Sequence, residues 1–212
     1  MEYKSVSHSV AGREIKLRIP ADPEQVLSAA VDAGQEDEGA SDPYWCLVWA
    51  AAPHTAELIV AHEWPSATTA LEIGCGVGLP GIAAELNGLD VTYSDYSEPA
   101  VAQALQNARS NGIHDPQGLV LDWKAPADQT FDLIFGSDVL YDRNNHQPVL
   151  DTLSQMLADD GQAWLGDMGR YALEGFVKLA SDSGWQLTIV DENGDQLPGP
   201  RHQSFQLLKL TR

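Results

Sequence analysis

The sequence predicts an α/β fold: a doubly wound, mostly parallel, seven-stranded sheet with helices on both faces, preceded by an N-terminal hairpin and a short helix. Three observations carry this prediction. Short apolar runs alternate with longer helix-like runs from Thr68 to Leu210, the pattern of successive β–α units whose crossovers leave neighbouring strands parallel. Three glycines at alternate positions, Gly74, Gly76 and Gly78, stand between the first central apolar run and the helix-like run after it. Acids or aromatics fall at the ends of four further strand-like runs, at Asp95, Asp122-Trp123, Asp138 and Asp167, and strand C-termini are where a doubly wound sheet binds ligands.

The elements follow in order. Residues 1–20 alternate loosely around Gly12-Arg13 and read as a hairpin ending at Pro20. Asp22 is placed to cap a short helix with Pro23 in its first turn. That helix fades into the acidic loop Gly34–Gly39. These 1–40 form an extension; 41–212 form the main domain, with no linker or internal repeat inside it. The stretch Asp42–Trp49 holds three aromatics in its last six residues, which suit a core as well as a site. A helix-like run spans Thr55–His62.

The first central strand is Thr68–Ile73. The glycine turn follows, then a helix over Leu79–Leu86 with Pro80 in its first turn. Asp90–Ser94 is the second strand and Asp95 stands at its end. Ser97-Glu98-Pro99 starts a helix to about Ser110, closed by Asn111-Gly112. Gly118–Leu121 is the third strand, ending on Asp122-Trp123. Phe131–Phe135, apolar enough for burial on both faces, is the fourth. A helix over Asn144–Leu157, a strand at Ala163–Leu165 and a helix over Tyr171–Ser181 complete the alternation. Gln186–Val190 and Ser204–Leu210 have only a Gly/Pro loop between them, so one of them runs antiparallel.

Composition narrows the function. The chain has 212 residues, 43% of them hydrophobic, enough for one full core. Lys plus Arg number 12 against 31 Asp plus Glu, a net charge of −19. Such a chain repels nucleic acid, whose binding depends on neutralising phosphates. The charge fits a basic protein partner or a solubilising surface. No uncharged run approaches the roughly 20 residues of a membrane span, so no membrane partner is expected. The N-terminus has no apolar signal-like segment. Cys46 and Cys75 lie far apart, match no metal spacing and point to a reduced cytoplasmic setting. Cys75 reads as a small turn residue rather than a nucleophile. The six histidines form no triad or metal set.

The glycine turn admits two ligand classes. Its free helix N–H groups favour a carboxylate or phosphate. Gly76-x-Gly78-x-x-Gly81 matches the dinucleotide pattern, with Asp95 near the spacing of a ribose-binding acid. The fuller string Glu72-x-Gly74-x-Gly76-x-Gly78 resembles motif I of the class I methyltransferases that bind S-adenosylmethionine. A carboxylate at Asp95 can accept both ribose hydroxyls. Asp122 can accept from an adenine amino group, and Trp123 can cover the ring.

The chain as a whole resembles the seven-stranded, Rossmann-like class I methyltransferases, within them the protein-lysine subgroup. Carrying the likeness are Leu71–Gly81, Asp122-Trp123, and Ser137-Asp138-Val139-Leu140-Tyr141, which matches that subgroup's Asp-x-x-Tyr motif. Trp45-x-x-x-Trp49 and Gly166-Asp167-Met168-Gly169-Arg170 are further similar to the branch that methylates electron-transfer flavoprotein β subunits. After Trp49 this chain reads Ala50-Ala51-Ala52-Pro53, where that branch would carry glycine. The likeness covers roughly residues 40–190.

The resemblance implies S-adenosylmethionine as cofactor, released as S-adenosylhomocysteine. The cofactor set it implies is Trp49, Glu72, Gly74, Gly76, Gly78, Asp95, Tyr96, Asp122, Trp123 and Ser137. Asp138 and Tyr141 stand as the catalytic pair, and no metal is implied. Asp138 would orient the incoming amine or the cofactor rather than act as a strong base. The acceptor would be a protein lysine. The alternatives are a small amine of the nicotinamide kind, a nicotinamide-dinucleotide oxidoreductase, or a cofactor-binding domain without turnover.

Overall fold

The computed structural model describes residues 2–26, 43–65 and 68–212. The expected acidic loop at 34–39 and the continuation of the Asp22-capped helix beyond Val26 lie outside the described residues. Sixteen residues of hairpin come first, β1 (Tyr3–Val10) and β2 (Arg13–Pro20), paired antiparallel as a two-stranded sheet of their own. Residues 23–26 are helical, with the Asp22 carboxylate accepting from the Glu24 N–H at 2.9 Å.

The central sheet has seven strands: β3 (Thr69–Ile73), β4 (Asp90–Asp95), β5 (Gln117–Val120), β6 (Phe131–Ser137), β7 (Leu157–Asp167), β8 (Gln186–Val190) and β9 (Gln206–Thr211). Their order is β5-β4-β3-β6-β7-β9-β8. The first five are mutually parallel, and β9 runs antiparallel between β7 and β8. The helices are α1 (Ala51–Ala61), α2 (Leu79–Leu86), α3 (Glu98–Ser110), α4 (His146–Met156) and α5 (Leu173–Asp182).

Alternation along each strand separates two cores, as period-2 geometry requires. Ala70, Leu133, Phe135, Trp164 and Leu207 face one core, shared with α1, α2, α3 and the hairpin. Leu71, Ile73, Ile134, Leu165 and Leu208 face the other, shared with α4 and α5. The sheet is therefore covered on both sides.

Val10, Ile15, Leu17 and Ile19 of the hairpin are buried in the first of these cores. Each buried aliphatic side chain contributes roughly 1.5–3 kcal/mol. The outer edge of β2 is satisfied by amide side chains on α3: Asn107 Oδ1 accepts from the Arg18 N–H at 2.9 Å, and Asn111 Oδ1 from the Lys16 N–H at 3.0 Å. The hairpin is thus packed into the main body.

Three boundaries differ from expectation. Helix α1 begins at Ala51, not Thr55, because Pro53 sits in its first turn, where a missing N–H costs nothing. Strand β7 starts at Leu157 rather than Ala163. Its early residues Asp159-Asp160-Gly161 carry turn chemistry and fall in an irregularity of the strand: Phe131 pairs with Leu157 and Leu133 with Gln162, so the polar stretch bulges out between them. The helix expected from Asn144 opens as a 3-10 turn, Arg143–Asn145, before α4. Among the described residues no helix is long and apolar enough to cross a membrane.

Candidate active site

A crevice of about 670 Å³ lies over the C-terminal ends of β3, β4, β5 and β6. That volume is in the range of small-molecule sites. One half is the nucleoside-like side. Gly74 and Gly76 form its floor, with Asp95, Tyr96 and Ser97 from the end of β4 and Asp122-Trp123 following β5. The other half holds Ser137, Asp138 and Tyr141 after β6, with Tyr44, Trp45 and Trp49 above.

The turn is shaped for close approach. Gly76 has φ +51°, and a Cβ there would lie 2.9 Å from the Trp45 carbonyl oxygen. A side chain at that position would push the aromatic segment off the turn. Asp95 is fixed on both oxygens: Oδ2 accepts from the Gly76 N–H at 3.0 Å and Oδ1 from the Ser97 N–H at 2.9 Å. A carboxylate oxygen can accept more than one hydrogen bond. Asp122 Oδ1 accepts from the Lys124 N–H at 2.9 Å. The Trp123 indole N–H is buried and has no partner among the described residues.

Asp138 is in the left-handed region, φ +58°, and 6% exposed. Its Oδ2 accepts the first N–H of α1, from Ala51, at 2.9 Å. Its Oδ1 pairs with the Arg170 guanidinium. Burial pushes the Asp138 carboxyl above its usual range; the Ala51 N–H and Arg170 pull it back down, and Asp167 adds a smaller upward push. Tyr141 is 48% exposed at the mouth, and Trp49 37%. The Trp49 indole N–H donates to the Tyr44 carbonyl at 3.0 Å, and the two rings meet edge-on at 5.6 Å.

Ten of the twelve expected site residues line the crevice; Glu72 and Gly78 do not. Glu72 is 1% exposed and turned beneath α2, against Gly81 and the Tyr93 ring. Its position in β3 puts it on the same face as Ala70, toward that helix. Gly78 leaves the turn with φ +88°, and a Cβ there would lie 3.1 Å from Ala104 of α3. Its role is helix packing. Cys75 is buried, and burial pushes its thiol well above the usual range, so it is no nucleophile.

Sequence reasoning misses Tyr44, Trp45, Lys124, Asn144, Asn145 and Pro148, which also line the crevice. It also leaves Arg170 and Asp167 without a role. The signal for these two is present: a Gly-Asp-Met-Gly-Arg string at a strand end.

The residues present fit S-adenosylmethionine. Gly74 and Gly76 offer a bare backbone, Asp95 and Asp122 are acceptors, and flat rings at Tyr96, Trp123 and Trp49 suit a purine and a thioether. The fit rests on that donor set, not on a pyrophosphate cradle, since two acids, Asp95 and Asp122, stand on the nucleoside side against one cation, Lys124.

Comparison with known proteins agrees. Residues 71–163, from β3 into β7, match the family model of a methyltransferase domain. A "Histidine protein methyltransferase 1 homolog" of Dictyostelium discoideum is 36% identical over 108 residues, 48% of this chain and 35% of that protein. An "Electron transfer flavoprotein beta subunit lysine methyltransferase" of Mus musculus is 25% identical over 177 residues, 81% of this chain and 60% of that protein. The chain spans 35–55% of the length of the first three curated relatives it matches. A TehB-like methyltransferase structure from Corynebacterium glutamicum superposes with TM-score 0.64 at 20% identity, over 90% of this chain and all of that one, and so shares the fold. The seven-stranded sheet, the crevice at its strand ends and these matches make the chain similar to the class I S-adenosylmethionine-dependent methyltransferases, with a methyltransferase-domain match over residues 71–163 and protein-modifying enzymes among its relatives.

Proposed function

We propose that this chain transfers a methyl group from S-adenosylmethionine to a side-chain nitrogen of a protein, a lysine amine in the first instance. The observation that carries the reading is the two-ended crevice: glycine turn and acids at one end, Asp138 and Tyr141 at the other. Bound there, the cofactor supplies an electrophilic methyl on an already activated leaving group. Asp95 and Asp122 accept its hydroxyl and amino protons. The glycine turn and Trp49 receive its amino-acid end.

The residues at the acceptor end orient an amine and exclude water. Tyr141 presents a ring face that would attract the cationic methyl of the sulfonium. Asp138 is buried and ion-paired with Arg170, so it acts as a fixed wall rather than as a proton acceptor for lysine. The amine arrives neutral, favoured by desolvation at the crevice mouth, from a reference pKa near 10.4.

A protein acceptor is favoured over a small one by the surface around the mouth. Among the described residues, four of the eight exposed large apolar side chains line it: Tyr44, Trp49, Tyr96 and Tyr141. Concentrated exposed aromatics mark docking surfaces rather than closed small-molecule pockets. The −19 charge suits a basic partner and disfavours nucleic acid. The free, buried cysteines Cys46 and Cys75 support a reduced, cytoplasmic setting.

The test has two parts. Calorimetry should show S-adenosylhomocysteine binding at micromolar levels, with NAD not binding. Incubation of a cell extract with labelled cofactor should then place the label on a protein lysine, located by mass spectrometry. Label on histidine would move the acceptor to that side chain. Label confined to small molecules would overturn the protein reading, and NAD binding alone would overturn the cofactor.

A further inference from the structure

Arg170 lies three residues beyond the end of β7, and its surroundings are unusual for a cation on a crevice wall. Its guanidinium pairs with Asp138 and, at 3.3 Å, with Asp167 Oδ2. The two carboxylate side chains are 2% and 0% exposed, while Arg170 is 29% exposed. Its own backbone N–H donates to Asp167 Oδ1 at 2.8 Å. Its guanidinium carbon lies over the Trp49 ring, 5.6 Å from the ring centre. The loop that carries it is tied down: the Gln203 N–H donates to the Gly169 carbonyl at 3.0 Å. A Cβ at Gly169 would lie 2.5 Å from the Arg201 carbonyl oxygen, so the loop is packed tight against the β8–β9 connection.

We propose that Arg170 is a positioning residue for this site. It holds the Asp138 carboxylate against the start of α1 and lies on Trp49, so that the wall of the acceptor end and the aromatic segment over the glycine turn are set by one side chain. The proposal rests on the methyl-transfer reading for its consequence, but its main test does not.

The balance of charge supports it. Two buried carboxylates face each other across one cation and the partial positive charge of the α1 N-terminus. A single guanidinium nitrogen, Nη1, meets both acids at once and bridges them. The groups facing Asp138 are few. From α1 comes the Ala51 N–H, while His54 is turned away onto Phe205. From the end of β7 come Asp167 and Arg170. From its own loop, Asp142 is occupied in accepting from the Asn144 N–H at 2.9 Å, and Tyr141 stands at the mouth. Without Arg170, burial and Asp167 act on Asp138 with only the helix terminus opposing them.

The experiment compares wild type, Arg170→Gln and Arg170→Lys. Carboxyl-labelled aspartate is followed by NMR across pH, with the Asp138 signal assigned through Asp138→Asn. Thermal melts define the range in which each variant is folded. Arg170→Gln should raise the Asp138 midpoint by about 1–3 pH units, the size of shift a close opposite charge produces. Arg170→Lys should raise it by less, since it keeps the charge but ends one bond short of the Nη1 that bridges the two acids. The acid limb of the kcat/KM profile should move up by the same amount as the NMR midpoint. If Arg170→Gln does not fold, Arg170→Lys decides: a midpoint and acid limb both at their wild-type positions overturn the proposal. An unmoved Asp138 signal in a folded Arg170→Gln overturns it as well. Failure of wild type to bind S-adenosylhomocysteine would instead strike the methyl-donor reading and leave the titration result standing.

Discussion

Asp95 shows what one carboxylate does in two places at once. It closes the glycine turn through the Gly76 N–H and faces the nucleoside side of the crevice. Asp95→Ala should weaken S-adenosylhomocysteine by roughly 1–3 kcal/mol, the cost of unpaired polar groups, read by calorimetry; unchanged affinity would remove Asp95 from the site. Its place at the crevice was legible because strand C-termini are where a doubly wound sheet binds ligands. Glu72 was not, because sequence shows that a residue is on a strand but not which neighbour its face meets. Burial raises the Glu72 carboxyl well above its ordinary value, with the Gly81 N–H opposing and Asp95 adding a smaller upward push. A raised folded-state value means the native chain holds that proton more tightly than the unfolded chain. The associated stability is complete below the unfolded value near 4.5 and is lost as pH rises toward the folded one. Glu72→Gln removes the effect. The stability of Glu72→Gln minus that of wild type, by urea unfolding, should therefore grow between pH 5 and pH 8. A constant difference would mean that the carboxyl is not held protonated.

At the scale of elements, α3 joins the N-terminal hairpin to the crevice. Gln103, Asn107 and Asn111 recur every four residues and form one stripe. In sequence the hairpin reads as an extension preceding the main domain. In the fold the stripe completes the hydrogen bonding of β2, work that a third strand would otherwise do. Asn107 is fully buried. It accepts from the Arg18 N–H and donates to the Val77 carbonyl at 2.9 Å, inside the glycine turn. Asn107→Ala should therefore cost at least about 2 kcal/mol, since it strands buried groups on both β2 and the turn. Urea unfolding measures that loss. The same variant should also lower S-adenosylhomocysteine affinity in calorimetry, because the Val77 carbonyl loses its anchor. A stability loss with unchanged affinity would show that the hairpin and the turn are independent. The succession of strands and helices was readable from apolar runs; the start of β7 was not, because Asp159-Asp160-Gly161 carries turn chemistry and bulges out between the paired residues Leu157 and Gln162.

Across the whole molecule, charge governs how the surface behaves. The net −19 is spread along the chain, and only 12 cationic residues oppose it. Four of these, Lys4, Arg13, Lys16 and Arg18, sit on the hairpin, so the remainder of the body is more acidic still. Like charges at this density repel one another across the compact surface more than in the expanded chain, which lowers stability. Screening shortens from about 10 Å at 0.1 M salt to about 3 Å at 1 M. Raising sodium chloride from roughly 0.05 to 0.5 M, a span over which that range contracts severalfold, should therefore raise the thermal midpoint. The same screening should weaken a basic acceptor held by the acidic mouth and raise its KM, because steering between opposite charges falls as salt rises. The two responses have opposite signs, which separates them from a general salt effect on folding. A midpoint that rises while KM stays flat would mean that the acids serve solubility alone. A midpoint that does not rise would mean that repulsion between them is not limiting stability.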